Sequence, residues 1–429
     1  MLDEKSANTV TISEGERSWT RVRKGGCQKI IEPRERGRNV VITETIDFAA
    51  GGFPGQAYHA RLDELRDQGP VVAVDFGGEP AWLVTRHAEL AAAFRDTERF
   101  PPGAAYRWHT EPTVGRSFIS MDEPEHRIYR KLATPTFRPT AVARAERDPL
   151  VSLAHELIDD AARSGEVDLV RQFAELFPMR IICRMLGIPR DAEQDFRRWA
   201  IGLLSFPFDP QTAARCAAEF SAYVSPLIRQ RRRSPRDDVV SQLVEAKVEG
   251  RGLEDEEILS HIRLLFPTGA ETTSRAIANL LFALLAHEGA WKRVVEDPTE
   301  RGKAIEELLR WENPVAIVPR VSADVPIEYG GVEIPPRAPV LFCVAAANRD
   351  PRAHRDPHRF DPTRPSGLLL SFGPGPRQCP GMHLARKELA VALDVLCERA
   401  PGLRLLDPDA SLPVGTVLRG PERLPVELA

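Results

Sequence analysis

The run Phe372-Gly-Pro-Gly-Pro-Arg-Gln-Cys379-Pro-Gly381 sets one cysteine in a glycine- and proline-rich loop, directly before a helix-like segment, Met382–Arg399. Glycine lets the backbone take positive φ and brings N–H groups close to a sulfur. Pro374, Pro376 and Pro380 remove freedom, so the loop can hold a ligand atom in one place. Leu384, Leu389, Val391, Leu393 and Leu396 are spaced like the buried stripe of a helix. The amino end of that helix is the positive end of its dipole and favours a thiolate there. The chemistry on offer is a fixed, anionic sulfur ligand. An inert buried cysteine is the plainer reading of the loop taken alone. A dinucleotide loop fits poorly, because the glycines are off the G-x-G-x-x-G spacing and no strand–helix unit with a following acid is evident.

A second constellation, Phe266-Pro-Thr-Gly-Ala-Glu271-Thr272-Thr273, lies inside the longest helical pattern. A carboxylate and a hydroxyl beside a locally opened helix can hold a water chain that moves protons. A hydroxyl that competes for an i−4 carbonyl bends a helix and makes such a groove. Pro267 is expected to interrupt the helix and widen that groove. Glu307-Leu-Leu-Arg310 puts an acid and a base on one helical face, where they can pair. On a surface such a pair is worth little. His126 and Arg130, four apart in Glu123-Pro-Glu-His126-Arg-Ile-Tyr-Arg130, also share a face.

Phe372, Gly373, Gly375, Arg377, Cys379 and Gly381 fill every fixed position of F-G-x-G-x-(H/R)-x-C-x-G. The loop thus resembles the haem-binding loop of the cytochrome P-450 haem-thiolate monooxygenases, soluble bacterial type, and the resemblance covers about residues 47–429. It implies haem b (iron protoporphyrin IX) with Cys379 as axial ligand, Phe372 beside the sulfur and Gly381 behind it. A thiolate on haem iron pushes electron density toward bound oxygen and favours O–O cleavage. Gly269, Glu271, Thr272 and Thr273 match (A/G)-G-x-(D/E)-T-(T/S), which implies that Glu271 and Thr272 relay protons and that Gly269 leaves room for dioxygen. Thr268 departs from the family's Ala or Gly. Glu307 and Arg310 match E-x-x-R, with Arg359 of Asp356-Pro-His-Arg359-Phe360 as the third member of a structural triad. His126, Arg130, Arg320 and Arg377 match positions that hold the haem propionates, anions that require cationic donors.

The same resemblance places substrate contacts at Tyr106, Trp108 and Phe118, at Phe206 and Phe208, at Val315, Ile317 and Val318, and at Val417 and Leu418. These are mostly apolar and imply a hydrophobic small molecule, hydroxylated or epoxidised with one atom of dioxygen. Arg127, Arg130, Lys131, Arg349, Arg352, Arg355, Arg386 and Lys387 are expected to gather on the cysteine side and steer an acidic, ferredoxin-type electron donor fed by an NAD(P)H reductase. Two alternatives stand beside this reading: a peroxygenase driven by hydrogen peroxide, and a non-catalytic haem-binding sensor or carrier. Glu271-Thr272 is intact and argues against both.

The elements that must position these groups are mainly helical. Helical periodicity runs over Thr140–Ser164, Asp191–Leu204, Pro210–Arg233, Asp255–His287, Thr299–Trp311 and Met382–Arg399. Strands are expected at Val71–Phe76 and Ala81–Thr85, as a hairpin around Gly77-Gly78, and at Ile327–Tyr329, Val340–Val344 and the C-terminus. The fold class is therefore mainly α with a minor β-sheet region, in a single haem-containing domain over 45–429. Residues 1–44, polar and charged, read as a poorly ordered extension. A net charge of −4 over 429 residues gives no sign of a nucleic-acid partner. The six cysteines hold no C-x-x-C pair, which argues against zinc, a c-type haem attachment and a disulfide framework and fits a reducing cytoplasm. No run approaches the ~18 apolar residues of a membrane span, so no membrane anchor is expected.

Overall fold

The computed structural model describes residues 53–428 apart from 77, 145–146 and 366, together with the backbone of three strands between 9 and 31. Those strands, β1 (Thr9–Glu14), β2 (Arg17–Lys24) and β3 (Cys27–Ile31), pair antiparallel in chain order. They stand where the sequence led us to expect a poorly ordered extension. The alternation of Thr9-Val-Thr-Ile-Ser-Glu is the period-two signal that composition masked. The rest of 1–44 lies outside the described residues.

From residue 53 onward helices dominate. They begin with α1 (Gln56–Gln68), followed by the hairpin β4 (Val71–Phe76) and β5 (Glu79–Val84). Next come α2 (Pro102–His109), α3 (Glu125–Ala133), α4 (Leu176–Leu186), α5 (Glu193–Leu204) and α6 (Pro210–Arg233). The long α7 (Asp255–Ala286) precedes α8 (Thr299–Trp311), β6 (Ile317–Val321), β7 (Pro339–Cys343) and α9 (Met382–Arg399). The periodicity over Thr140–Ser164 is split into Pro139–Arg144 and Asp148–Arg163. Pro149 explains the restart, since proline is welcome only in a first helical turn.

Helix α7 is the axis on which α4, α5, α6, α8 and α9 pack. Its start is fixed by a capping box, in which the Glu254 N–H donates to Glu257 Oε2 at 2.7 Å. It runs unbroken through Pro267, so the expected interruption does not occur. The Thr268 and Thr272 hydroxyls instead donate to the carbonyls of Leu264 and Thr268 at 2.6 and 2.8 Å. Two apolar cores flank the helix. One takes its first half, Ile258 to Ala270, with α4, α5 and α6; the other takes Ala276 to Leu284 with α8 and α9. The stretch between, around Thr272, belongs to neither core and opens on a cavity.

The main sheet has the order β4-β5-β7-β6: β5 runs antiparallel to β4 and parallel to β7, and β7 antiparallel to β6. As the edge strand, β6 can accommodate Pro319, which has no N–H to donate. Among the described residues no helix is long and apolar enough to cross a membrane.

Candidate active site

The cysteine loop is held by its own backbone. The Cys379 N–H donates to Phe372 O at 2.9 Å, Gly373 N–H to Leu370 O at 2.9 Å, and Gln378 N–H to Gly375 O at 3.1 Å. Gly373 and Gly375 have φ of +62° and +135°, and a Cβ on Gly375 would lie 2.7 Å from the Phe94 carbonyl. Only glycine fits both demands. Cys379 is exposed, and the space it faces is an internal cavity of about 310 Å³. Desolvation by the surrounding protein pushes its thiol pKa up; the N–H groups of Gly381 and Met382 and the charges of Arg130 and Arg386 oppose that shift. These are the influences expected to hold a sulfur anion once a metal takes its proton's place.

Phe372 and Gly381 line the cavity with Cys379, and Thr268, Gly269, Thr272 and Thr273 line it from α7. Gly269 lacks a Cβ for a reason the sequence did not suggest: one there would lie 2.9 Å from Ile182 of α4, so close helix packing demands the glycine. Glu271 does not line the cavity. Its carboxylate accepts from Arg275 Nη2 at 2.6 Å, and its side chain is 14% exposed.

His126, Arg130, Arg320 and Arg377 all line the same cavity. Buried His126 places Nδ1 2.7 Å from Glu123 Oε1; burial lowers its pKa and Glu123 pulls the other way. Arg130 donates to the Gln378 carbonyl of the cysteine loop. Arg320 is only 6% exposed, yet its hydrogen bonds go to the uncharged Pro319 carbonyl and Tyr106 hydroxyl. Arg377 donates to Phe118, Ile119 and Met121 carbonyls, and desolvation, with the charge of Arg320 adding to it, lowers its pKa to about 10. Two half-compensated guanidiniums beside a cysteine-lined cavity suit a group that brings both a metal and carboxylates. Haem meets that description.

Behind the loop, Arg310 grips Glu307 with two hydrogen bonds of 2.7 and 2.8 Å, both side chains buried. The third arm is Arg364, whose Nε lies 3.4 Å from Glu307 Oε1, and not Arg359. Arg359 is exposed and contributes only its carbonyl, to Arg310 and Arg364. A turn selects Arg364: the Asp361 N–H donates to Glu307 and Asp361 accepts from the Thr363 N–H, which brings residue 364 back. Arg310 also bonds the Asn348 carbonyl, while Asn348 Nδ2 donates to Ser371 Oγ, next to Phe372. The triad thereby reaches the cysteine loop.

Of the substrate candidates, Tyr106, Phe118, Val315 and Val318 line the cavity. Ile317 does not; strand alternation sends Val318 and Arg320 to the cavity face and Ile317 into a core with Leu341. Trp108 is 64% and Phe208 54% exposed, and neither they nor Phe206 line the cavity. Val417 acts through its carbonyl, which accepts from Ala316 N–H at 2.8 Å. Arg349, expected on a surface patch, is 1% exposed and belongs to a buried cluster with Glu312, His59 and Arg419 that no local pattern announces. Leu264, Leu265 and Ile119 also line the cavity and were missed. The period of α7 could have flagged the two leucines, which precede Thr268 and Gly269 by one turn.

Comparison with known proteins bears on all of this. A family model described as Cytochrome P450 matches residues 302–399, from α8 through α9. Mycinamicin IV hydroxylase/epoxidase of Micromonospora griseorubida is 37% identical over 385 residues, covering 87% of this chain and 96% of that protein. The 6-deoxyerythronolide B hydroxylase of Saccharopolyspora erythraea is 34% identical, covering 85% and 94%. A solved cytochrome P450 of Chondromyces apiculatus superimposes with a TM-score of 0.80 at 30% identity, over 89% of this chain and 98% of its own. Kinship at this level along nearly the whole described chain makes it a member of the cytochrome P450 family, a haem-thiolate monooxygenase that hydroxylates or epoxidises small molecules.

Proposed function

We propose that the enzyme oxidises a hydrophobic small molecule held between α7 and the Cys379 loop, with electrons from NAD(P)H delivered by a ferredoxin-type protein. The observation that carries this reading is the shared cavity, in which Cys379 and the α7 threonines meet among aliphatic and aromatic side chains. Haem supplies the oxygen-activating chemistry, which a thiolate ligand tilts toward O–O cleavage. Cys379 would hold that group's iron through its sulfur, and the N–H groups of Gly381 and Met382, which oppose the burial-driven rise of the thiol pKa, would favour the anionic form. His126, Arg130, Arg320 and Arg377, which line the same cavity, would hold the propionates. Phe118, Leu264, Leu265, Val315 and Val318 exclude water and orient the substrate by shape.

Thr272 lines the cavity, and its hydroxyl donates to Thr268 O at 2.8 Å. Glu271, partly exposed beside it, takes protons from solvent when it releases Arg275 and passes them through water to Thr272. Thr272→Ala is therefore expected to lower product formation by roughly 10²-fold, while NAD(P)H oxidation continues and hydrogen peroxide accumulates. Full coupling in that variant would remove Thr272 from the relay.

For the donor, the charges available are exposed Arg127 and Lys131, with Arg352 and Arg355 at 54% and 94% side-chain exposure. Reversing Arg352 and Arg355 to Glu is expected to slow reduction by an acidic ferredoxin and to flatten its salt dependence. A rate that ignores both changes would point to another docking face. Free Cys183, Cys216, Cys343, Cys379 and Cys397 accord with a cytoplasmic location.

A further inference from the structure

Arg386 reaches the cysteine loop from the second turn of α9. Its guanidinium carbon lies 4.6 Å from the centroid of the Phe372 ring. Nε and Nη2 donate to the two carboxylate oxygens of Glu306 at 2.6 and 2.9 Å. Phe372, under that guanidinium, accepts the Cys379 N–H at 2.9 Å. An arginine stacked on a ring through its face and forked onto a carboxylate through its edge has little freedom left. Its charge and that of Arg130 both act on the Cys379 sulfur; of the two, Arg130 rests on the uncharged Gln378 carbonyl. Only Arg386 carries its own counter-ion, and that counter-ion is the more exposed of the pair, 45% against 31%.

We propose that Arg386 is a positioning residue that eases one-electron reduction at the thiolate-ligated centre, and that Glu306 attenuates it. The proposal rests on Cys379 being the iron ligand. One electron from the NAD(P)H-fed donor converts ferric to ferrous iron, with no bond made or broken, and adds one negative charge beside the sulfur. A fixed cation nearby stabilises that product, and an anion clamped to the cation offsets part of the effect. Phe372 supplies the platform that sets the distance. Arg386 thus acts through charge, and Glu306 sets how much of that charge the centre feels.

The test is a reductive titration of the haem-loaded wild type, Arg386→Gln, Arg386→Lys, Glu306→Gln and the Arg386→Gln/Glu306→Gln double variant, each with its reduced carbon monoxide spectrum. Arg386→Gln is expected to shift the midpoint potential down and Glu306→Gln to shift it up. The double variant should return close to wild type, and Arg386→Lys should restore part of the loss. Opposite signs are what a merely structural pair would not give. If both single variants move the same way, or neither moves while the red-shifted band persists, the proposal is overturned. Should Arg386→Gln fail to keep haem, Glu306→Gln decides alone, and a potential that does not rise overturns it. A wild type without the red-shifted band removes the ligand assignment first, and the proposal with it.

Discussion

Cys379→Ser is expected to abolish the red-shifted Soret band of the reduced, carbon monoxide-bound protein and to bring monooxygenation down to background. Serine is close in size, and the bonds that shape the loop run from the Cys379 N–H to Phe372 O and from Gln378 N–H to Gly375 O, neither of which uses the side chain. The variant should therefore fold, and the cations at Arg320 and Arg377 should still retain haem. What it loses is the soft, easily ionised sulfur, since a hydroxyl is far too basic to serve as an anionic ligand in its place. The spectrum separates these effects, because haem content is read apart from band position. A band that stays red-shifted would require another sulfur on the iron. Among the described residues, Cys183, Cys216, Cys343 and Cys397 are buried elsewhere and none lines the cavity, so that outcome would overturn the assignment of Cys379.

What the sequence disclosed is what short stretches encode. The bounds of α6, α8 and α9 read from periodicity agree with the structure because local chemistry sets them. Asp209 accepts the Thr212 N–H at 3.0 Å with Pro210 in the first turn, and Asp297 accepts the Thr299 N–H at 2.9 Å. The cysteine loop was legible because its residue types and backbone bonds lie within about ten residues, although the Phe94 carbonyl that also demands Gly375 comes from far along the chain. Whatever depended on three-dimensional return of the chain was not. Arg359 and Arg364 are equally good candidates until the Asp361–Thr363 turn chooses between them. Ile317 and Val318 differ only in which pleat of β6 they occupy. Glu271 is next to Thr272 in sequence, yet Arg275, one turn on, draws it away from the cavity. The Glu312 cluster joins residues 37, 107 and 253 positions apart, a separation no periodicity reports.

That cluster carries the largest expected effect on stability. Glu312→Ala should destabilise the fold by about 3–5 kcal/mol, because it leaves buried cations without their counter-charge. Glu312 accepts from His59 Nε2 at 2.9 Å and Arg419 Nε at 2.7 Å, with Arg349 Nη2 at 3.4 Å. Arg349 and Arg419 are 1% and 0% exposed, so neither can turn to water. The cluster ties α1 to the end of α8 and to the C-terminal loop, where Asn279 of α7 donates to the carbonyls of Glu312 and Arg419. Its pH dependence has a definite sign. Burial lowers the His59 pKa from 6.5 to about 3, and the neighbouring His59 and arginine charges, outweighing burial, hold Glu312 at about 2, below its ordinary 4.5. Both folded values lie under the unfolded ones, so the unfolded chain binds protons first as pH falls. Stability present at neutral pH should decline from 6.5 downward through His59, and more steeply from 4.5 toward 2 as Glu312 joins. His59→Gln keeps the volume and a hydrogen bond to Glu312 but cannot titrate, so its unfolding midpoint should fall less steeply between 6.5 and 4.5 than that of the wild type, the remaining slope coming from His354 and the other buried histidines. If the variant slopes as the wild type does, His59 is not held neutral by burial, and the acid sensitivity must arise outside this cluster.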